Sequence, residues 1–301
     1  AGAERPRVQG VYVDTFITPD EIAARPTRAI VDKVRQGIAA AEREGVRLVT
    51  LGGFTSILVE AMAIRSDGPV ALTTGNTLTA ALIVRGIERA AELLGRSMDQ
   101  EDVLVIGATG DVGSACARSI SGRSRKLLLA ARNGERLERE AQQLSRSGPV
   151  LFSTDVKQLL RQATMVIAAA STSDRPFNLG DCRPDAIVCD AGYPKNMARR
   201  SAAHGGPRLF WGGMGVLPGG MPSYDGVLEK FYRLPVKDAF HGCILEGAVL
   251  ALAERFEPFS TGRGRIMPAQ LAEMWGLAQS GGVTLAPLFN DQGVWPEETL
   301  Q

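Results

Sequence analysis

The chain has 301 residues, 45% of them hydrophobic and 22% charged, so it can bury a sizeable core without disulfide or metal staples. Lys plus Arg number 34 against 33 Asp plus Glu, a balance that excludes a dedicated nucleic-acid binder, which needs a basic excess. Two histidines and four cysteines (Cys116, Cys182, Cys189, Cys243) with no CxxC pair give no zinc pattern, and no metal site is expected. Residues Ala29 to Glu44 read as an amphipathic helix, with Ile30, Val34 and Ile38 on one side and Gly45 as a stop. Arg47 to Leu51 reads as a strand and runs into the loop Gly52-Gly53-Phe54-Thr55-Ser56. Val70 to Thr73 is a second strand, after which Asn76 is expected to cap a long helix ending near Gly95. Residues 1–95 thus read as a small α/β substrate domain.

From Asp102 the pattern is a regular strand–helix alternation. Val103 to Ile106, Lys126 to Ala131, Pro149 to Ser153, Thr164 to Ala170, Ala186 to Asp190 and Arg208 to Trp211 are strands, with helices through Ile120 and over Asn133 to Leu144. Continuous apolar strands imply a parallel sheet covered on both faces, so residues 96–215 are read as a Rossmann-like, doubly wound nucleotide-binding domain. After Gly215 the alternation stops, and Leu217 to Tyr224 reads as a loop. A helix is expected from about Asp238 to Phe256, with Ile244, Ala248, Leu252 and Phe256 as its apolar stripe, and another from Pro268 to Ala278. Residues 216–301 are read as a C-terminal helical region that packs on the substrate domain. The basic clusters Arg25, Arg28, Lys33, Arg35 and Arg123, Arg125, Lys126 read as solvated faces or as docking sites for an acidic partner. No apolar run approaches the roughly 20 residues of a membrane span. With no signal peptide visible and unpatterned thiols, the expected compartment is the cytoplasm.

The turn Gly107-Ala108-Thr109-Gly110-Asp111-Val112-Gly113 joins a predicted strand to a predicted helix, which is the context a dinucleotide fingerprint requires. Glycines there allow a sharp turn and close phosphate approach, and the helix N-terminus offers free N–H groups to the pyrophosphate. The second strand ends in Ala130-Ala131-Arg132-Asn133, with a base where an NAD enzyme carries an acid, so the expected cofactor is NADPH. Ala169, Ala170 and Ser171 are small enough to let the nicotinamide half pass. Asp190 to Asn196 ends a later strand at the same sheet edge, placing Gly192 and Tyr193 beside the cofactor, with Gly213 following the next strand. Tyr193 and Lys195 are candidates for chemistry and equally for structural support.

Cys243 falls in the first turns of the helix expected from Asp238, where the helix dipole favours thiolate. Gly242 is expected to clear room for an acyl group, and His241 to be a proton-exchange candidate. Read alone, a helical cysteine is more often a small buried hydrophobe than a nucleophile, and that reading is kept for Cys116, Cys182 and Cys189.

Taken together, the motifs Leu51-Gly52-Gly53-Phe54-Thr55-Ser56-Ile57, Thr73-Thr74-Gly75-Asn76-Thr77, the Val105 to Ser114 turn, Ala130 to Asn133, Asp190 to Asn196, Cys243 with Glu246, and Phe259-Ser260 with Gly262-Arg263 carry a resemblance. The chain resembles the aldehyde-forming long-chain acyl-acyl carrier protein reductases of cyanobacteria, in order from about Val8 to Leu288. The resemblance implies that Cys243 takes an acyl group from a carrier phosphopantetheine thiol, or from CoA, and that NADPH reduces the enzyme-bound thioester to an aldehyde. It also implies that Ser56, Asn76 or Thr77 donate to the oxyanion, and that Gly53, Phe54, Thr55 and Thr77 meet the substrate. The stretch Gly212 to Pro218 and residues near Ile266 to Gln279 depart from the family, which leaves acyl length open. A homo-oligomer is also left open. Two other readings compete: a shikimate-type NADP-dependent carbonyl dehydrogenase that uses no cysteine, and a non-enzymatic nucleotide-binding scaffold.

Overall fold

The computed structural model describes residues 8–53, 55–56, 68–172, 177–198, 206–222, 226, 234–262 and 264–295; Phe54, Ile57, Tyr224 and Arg263 named above lie outside them. Helix α1 (Pro19–Ala24) is capped by the Thr18 hydroxyl, which accepts from the Glu21 N–H. Helix α2 (Thr27–Arg43) buries Ile30, Val31, Val34 and Ile38, the face its spacing predicts. Strands β1 (Leu48–Thr50) and β2 (Ala71–Thr73) pair in parallel. Helix α3 (Asn76–Leu93) is buried nearly all round and runs through the main core.

The start of α3 corrects the expectation for Asn76. Gly75 is the N-cap, in the left-handed conformation at φ 73°, and Asn76 is the first helical residue. The Asn76 amide donates to Asp111 Oδ2 at 3.0 Å instead of capping its own helix. The cause is close approach: a methyl on Gly75 would stand 2.4 Å from Cys243 Cα.

Strands β3 (Asp102–Ile106), β4 (Lys126–Ala130), β5 (Val150–Ser153), β6 (Met165–Ala168), β8 (Ile187–Asp190) and β10 (Arg208–Trp211) form one six-stranded parallel sheet in the order β10-β8-β6-β3-β4-β5. The short strands β7 (Phe177–Asn178) and β9 (Met197–Ala198) pair separately. Val103, Val105, Leu127 and Ile167 face α3, α4 (Asp111–Ile120) and α5 (Gly134–Leu144). Leu104, Ile106, Leu128 and Val166 face the short helix α6 (Val156–Leu160) and the segment through Cys182 and Ala186. This is an α/β fold with a Rossmann-like sheet. The strand order reverses between β3 and β6, and such a reversal opens a crevice at the carboxyl ends of the strands.

Past the sheet, β11 (Met214–Val216) pairs antiparallel with both β12 (Ala239–His241) and β13 (Thr284–Leu285). The helix expected from Asp238 begins later, as α7 (Gly242–Leu252). Asp238 has φ 57°, a left-handed conformation that no α-helix runs through, and the next three residues join the small sheet. The expected stripe is corrected too. Leu245, Glu246, Val249 and Leu250 are the buried face of α7, while Ile244, Ala248, Leu252 and Phe256 line a cavity. Helix α8 (Pro268–Ser280) closes the main core with Leu271, Met274 and Ala278. Within the basic clusters, Arg25 and Lys33 pair with Glu21, Arg35 with Asp32, Arg123 with Glu88 and Arg125 with Asp102. No described helix is long and apolar enough to cross a membrane.

Candidate active site

The Gly-rich turn lies over the sheet reversal. Gly107 has φ 84°, and a methyl there would stand 2.6 Å from the Ala169 carbonyl oxygen. A methyl on Gly113 would stand 2.2 Å from the Gly107 oxygen. Gly110 caps α4 with no side chain over the helix end, so the first N–H groups of α4 face the crevice. Val112 lies in that first turn, and the Thr109 carbonyl accepts from Arg136 at 3.3 Å. These glycines and this helix end fit the pyrophosphate of a dinucleotide.

At the end of β4, Arg132 and Asn133 are both exposed. Asn133 caps α5, its Oδ1 accepting the Arg136 N–H at 2.9 Å. Arg136 is a second guanidinium at this corner that the sequence reading missed. Across the reversal, the Ala170 N–H donates to Asn196 Oδ1, which fixes the small-residue segment Ala169 to Ser171. Asp190 braces the following loop, accepting from the N–H groups of Gly192, Asn196 and Met197. Lys195 donates to the Asp190 carbonyl at 3.1 Å and stands 5.5 Å from the Trp211 ring centre.

One cavity of about 2730 Å³ joins the two halves of the molecule. It is lined by Gly110 to Val112, Ala169 to Ser171, Gly192, Tyr193 and Gly213 on the sheet side, and by Gly52, Gly53, Thr55, Ser56, His241 and Cys243 opposite. Single small-molecule sites are typically ~300–1,000 Å³, so this one has room for two ligands. Its far end runs between α2 and the apolar stripe of α7.

Cys243 lies in the first turn of α7 and keeps partial exposure. A methyl on Gly52 would stand 3.3 Å from its sulfur, and the Thr50 hydroxyl donates to its carbonyl at 2.6 Å. Burial pushes the Cys243 thiol above its ordinary pKa; the N–H groups of Gly53 and Ile244 oppose the rise and Glu246 adds to it. The expected depression by the helix end is therefore outweighed by desolvation. The expectation for Gly242 is corrected as well. A methyl there would stand 2.6 Å from Thr79 Cα, so this glycine lets α7 meet α3 and does not clear space for an acyl group.

Tyr193 packs its ring over Gly53 and meets the His241 ring edge-on at 6.3 Å. Burial raises the Tyr193 hydroxyl pKa, and nearby Tyr12, Cys243 and Asp14 raise it further. His241 ends β12 and is not helical; burial, with Lys195 adding, lowers it to about 3, so the imidazole is neutral. Cys116 and Cys182 are pushed up to about 12 by burial and Cys189 is raised well above the usual thiol range, as core hydrophobes are.

Of the three oxyanion candidates, the Ser56 hydroxyl lines the cavity and donates to the Gly53 carbonyl at 2.9 Å. The Asn76 amide is turned to Asp111, and Thr77 shares a 2.6 Å hydrogen bond with Ser260, fully buried. Thr55 lines the cavity with its hydroxyl on the Gly52 carbonyl. Sequence reasoning missed the roles of Gly75, Ser260, Tyr12 and Asp14, whose places depend on contacts between distant segments.

The long-chain acyl-[acyl-carrier-protein] reductase of Synechococcus elongatus is 31% identical to this chain over 276 residues, 86% of this chain and 77% of that protein. The chain belongs to the long-chain acyl-[acyl-carrier-protein] reductase family. It is accordingly an oxidoreductase, which sets the scaffold reading aside. The aminotransferase PigE of a Serratia species is 29% identical over 294 residues, which are 93% of this chain and 33% of that protein, so the chain spans a third of this relative's length. No family model matches the chain. Among solved structures, the dipicolinate synthase A chain of Bacillus subtilis matches with a TM-score of 0.41 and 16% identity over 69% of this chain and 64% of that one, a likeness that carries no functional argument.

Proposed function

We propose that this reductase converts an acyl thioester to an aldehyde in two stages on Cys243, with NADPH as reductant and an acyl carrier protein or CoA as donor. The observation that carries the reading is that the Cys243 sulfur and the Gly-rich turn open into one cavity. In the first stage the Cys243 thiol attacks the donor thioester. The new carbon–sulfur bond forms as the donor's breaks, and the proton leaves Cys243 for the departing thiol. The N–H groups of Gly53 and Ile244, already turned to the sulfur, favour thiolate character on Cys243 as its proton leaves. The raised thiol pKa keeps Cys243 protonated at rest, and the donor's leaving sulfur takes that proton, so no strong base is needed at the site.

NADPH, when bound, supplies the hydride. The carbon–sulfur bond to Cys243 then breaks, aldehyde leaves and the thiolate regains a proton. The apolar stripe Ile244, Ala248, Leu252 and Phe256 holds the acyl chain between α7 and α2. Arg132 and Arg136 favour a 2′-phosphate at the adenosine end. Four cysteines without a disulfide fit a reducing compartment such as the cytoplasm. Intact-mass analysis after mixing the protein with a fatty acyl thioester and no NADPH is expected to show one added acyl group, lost in Cys243→Ala while NADPH still binds. An adduct that survives in Cys243→Ala overturns the reading. Ketone reduction at full rate by that variant would favour the shikimate-type alternative.

A further inference from the structure

Glu246 lies one turn beyond Cys243 on α7 and is fully buried. Its Oε1 accepts from the Thr73 hydroxyl at 2.5 Å and the Ser260 hydroxyl at 2.7 Å, and its Oε2 accepts from the Leu78 N–H at 2.9 Å. Among the described residues no Lys or Arg pairs with it. A buried carboxyl without a cation is costly, and an apolar side chain of the same size would pack there at no such cost. Its hydrogen-bond partners point to a role in placement.

The partners show what is placed. Helix α3 starts at a glycine that has no side chain to cap it, leaving its first N–H groups in need of acceptors. Glu246 accepts one at Leu78, and the Ser260 hydroxyl accepts another at Thr77. Ser260 in turn receives Thr73 Oγ1 as the acceptor for its own N–H, and its carbonyl accepts the Thr74 N–H. The N-terminal turn of α3 is thus capped from α7 and from the segment at Ser260. At that same junction Gly75 touches the Cys243 backbone, and Gly52 and Gly53 border the sulfur.

We propose that Glu246 is a positioning residue for Cys243: its carboxyl ties the first turns of α7 and α3 together and to Ser260, and so fixes the sulfur against the Gly52–Gly53 turn. The inference rests on the reading of Cys243 as the acyl acceptor. Burial holds the Glu246 carboxyl above its ordinary pKa, against the lowering effect of the Thr73 and Ser260 hydroxyls and the Leu78 and Thr77 N–H groups.

Three variants test it: Glu246→Gln, which keeps the shape and one acceptor oxygen, Glu246→Ala, which removes both, and Ser260→Ala, which removes one partner. Acyl transfer from a fatty acyl thioester, iodoacetamide labelling of Cys243 across pH, and thermal melting are read in each. In Glu246→Ala, acyl transfer is expected to fall about 100-fold, the cost of an ångström-scale misplacement, while iodoacetamide still labels Cys243. Glu246→Gln is expected to melt like the parent and recover most of the transfer rate. Its labelling profile should shift to lower pH, because the Glu246 charge that raises the thiol pKa is gone. Ser260→Ala, if Glu246→Ala does not fold, is expected to slow transfer more than labelling. Parental acyl transfer in Glu246→Ala, or in Ser260→Ala where that variant stands in for it, overturns the proposal, as does a labelling profile in Glu246→Gln that superimposes on the parent's. Absence of any acyl adduct on the parent protein sinks the Cys243 reading instead, and the labelling profiles then still report the geometry.

Discussion

The two walls of the cavity are built by different rules. The sheet-side wall follows from local chain logic: a buried strand, three glycines at fixed spacing, a helix whose N-terminus faces the crevice. The opposite wall joins residues 50–53, 55–56, 73–79, 241–246 and 260, none of which forms a complete site alone. A motif can mark the first wall. The second exists only when distant segments meet, so its reactive group is set by burial and close contact more than by any nearby charge.

Gly75 is where the contrast breaks most sharply. An alanine there must adopt φ near 73° and place its methyl 2.4 Å from Cys243 Cα. The expected cost is about 2–4 kcal/mol of stability from left-handed strain plus overpacking, with acylation of Cys243 down about 100-fold. NADPH affinity, measured by fluorescence, should change little. Equal loss of both would mean the walls are not separate units. Gly113→Ala is the mirror experiment, with a methyl 2.2 Å from the Gly107 oxygen. Strain of about 2 kcal/mol on the turn corresponds to roughly 30-fold weaker NADPH binding. Acyl loading of Cys243 without NADPH should survive.

The same contrast explains what the sequence disclosed. The parallel sheet, its order of elements and the glycine turn were legible because each rests on neighbours in the chain. The stripe Ile244, Ala248, Leu252 and Phe256 was legible as periodicity, yet its meaning inverted: it faces a cavity and the core face is one residue further round, at Leu245, Val249 and Leu250. Periodicity records an apolar surface and does not say whether protein or ligand covers it. Asn76 was read as a cap by residue type, while the decisive fact was the room that Gly75 leaves for Cys243. The thiol pKa was read from the helix end alone, and burial, which no local motif encodes, carried the larger weight.

A smaller effect sharpens the first wall. Arg132 is exposed beyond β4, and Arg136 reaches back to the Thr109 carbonyl of the turn. Arg132→Ala is expected to weaken NADPH binding about tenfold, the loss of one charge-assisted contact of ~1.4 kcal/mol, and to leave NADH binding where it was. Equal weakening of both cofactors would place Arg132 away from the 2′-phosphate.

The mildest test concerns the second wall and pH. His241 is lowered to about 3 in the fold, against 6.5 when free, because burial penalises the imidazolium and Lys195 adds to that penalty. The unfolded chain therefore takes up a proton below about pH 6.5 that the folded chain refuses until about pH 3. Stability from this group is complete above pH 6.5 and is lost progressively as pH falls toward 3, at no more than about 1.4 kcal/mol per pH unit. Urea midpoints at pH 7.0 and 5.5 should fall further for the parent than for His241→Gln. Parallel falls would show that the imidazole is solvated and protonates freely, and His241 would then regain a place as a proton donor near Cys243. A steeper parental slope keeps it neutral at working pH, and the proton that restores the Cys243 thiol then comes from another group or from solvent.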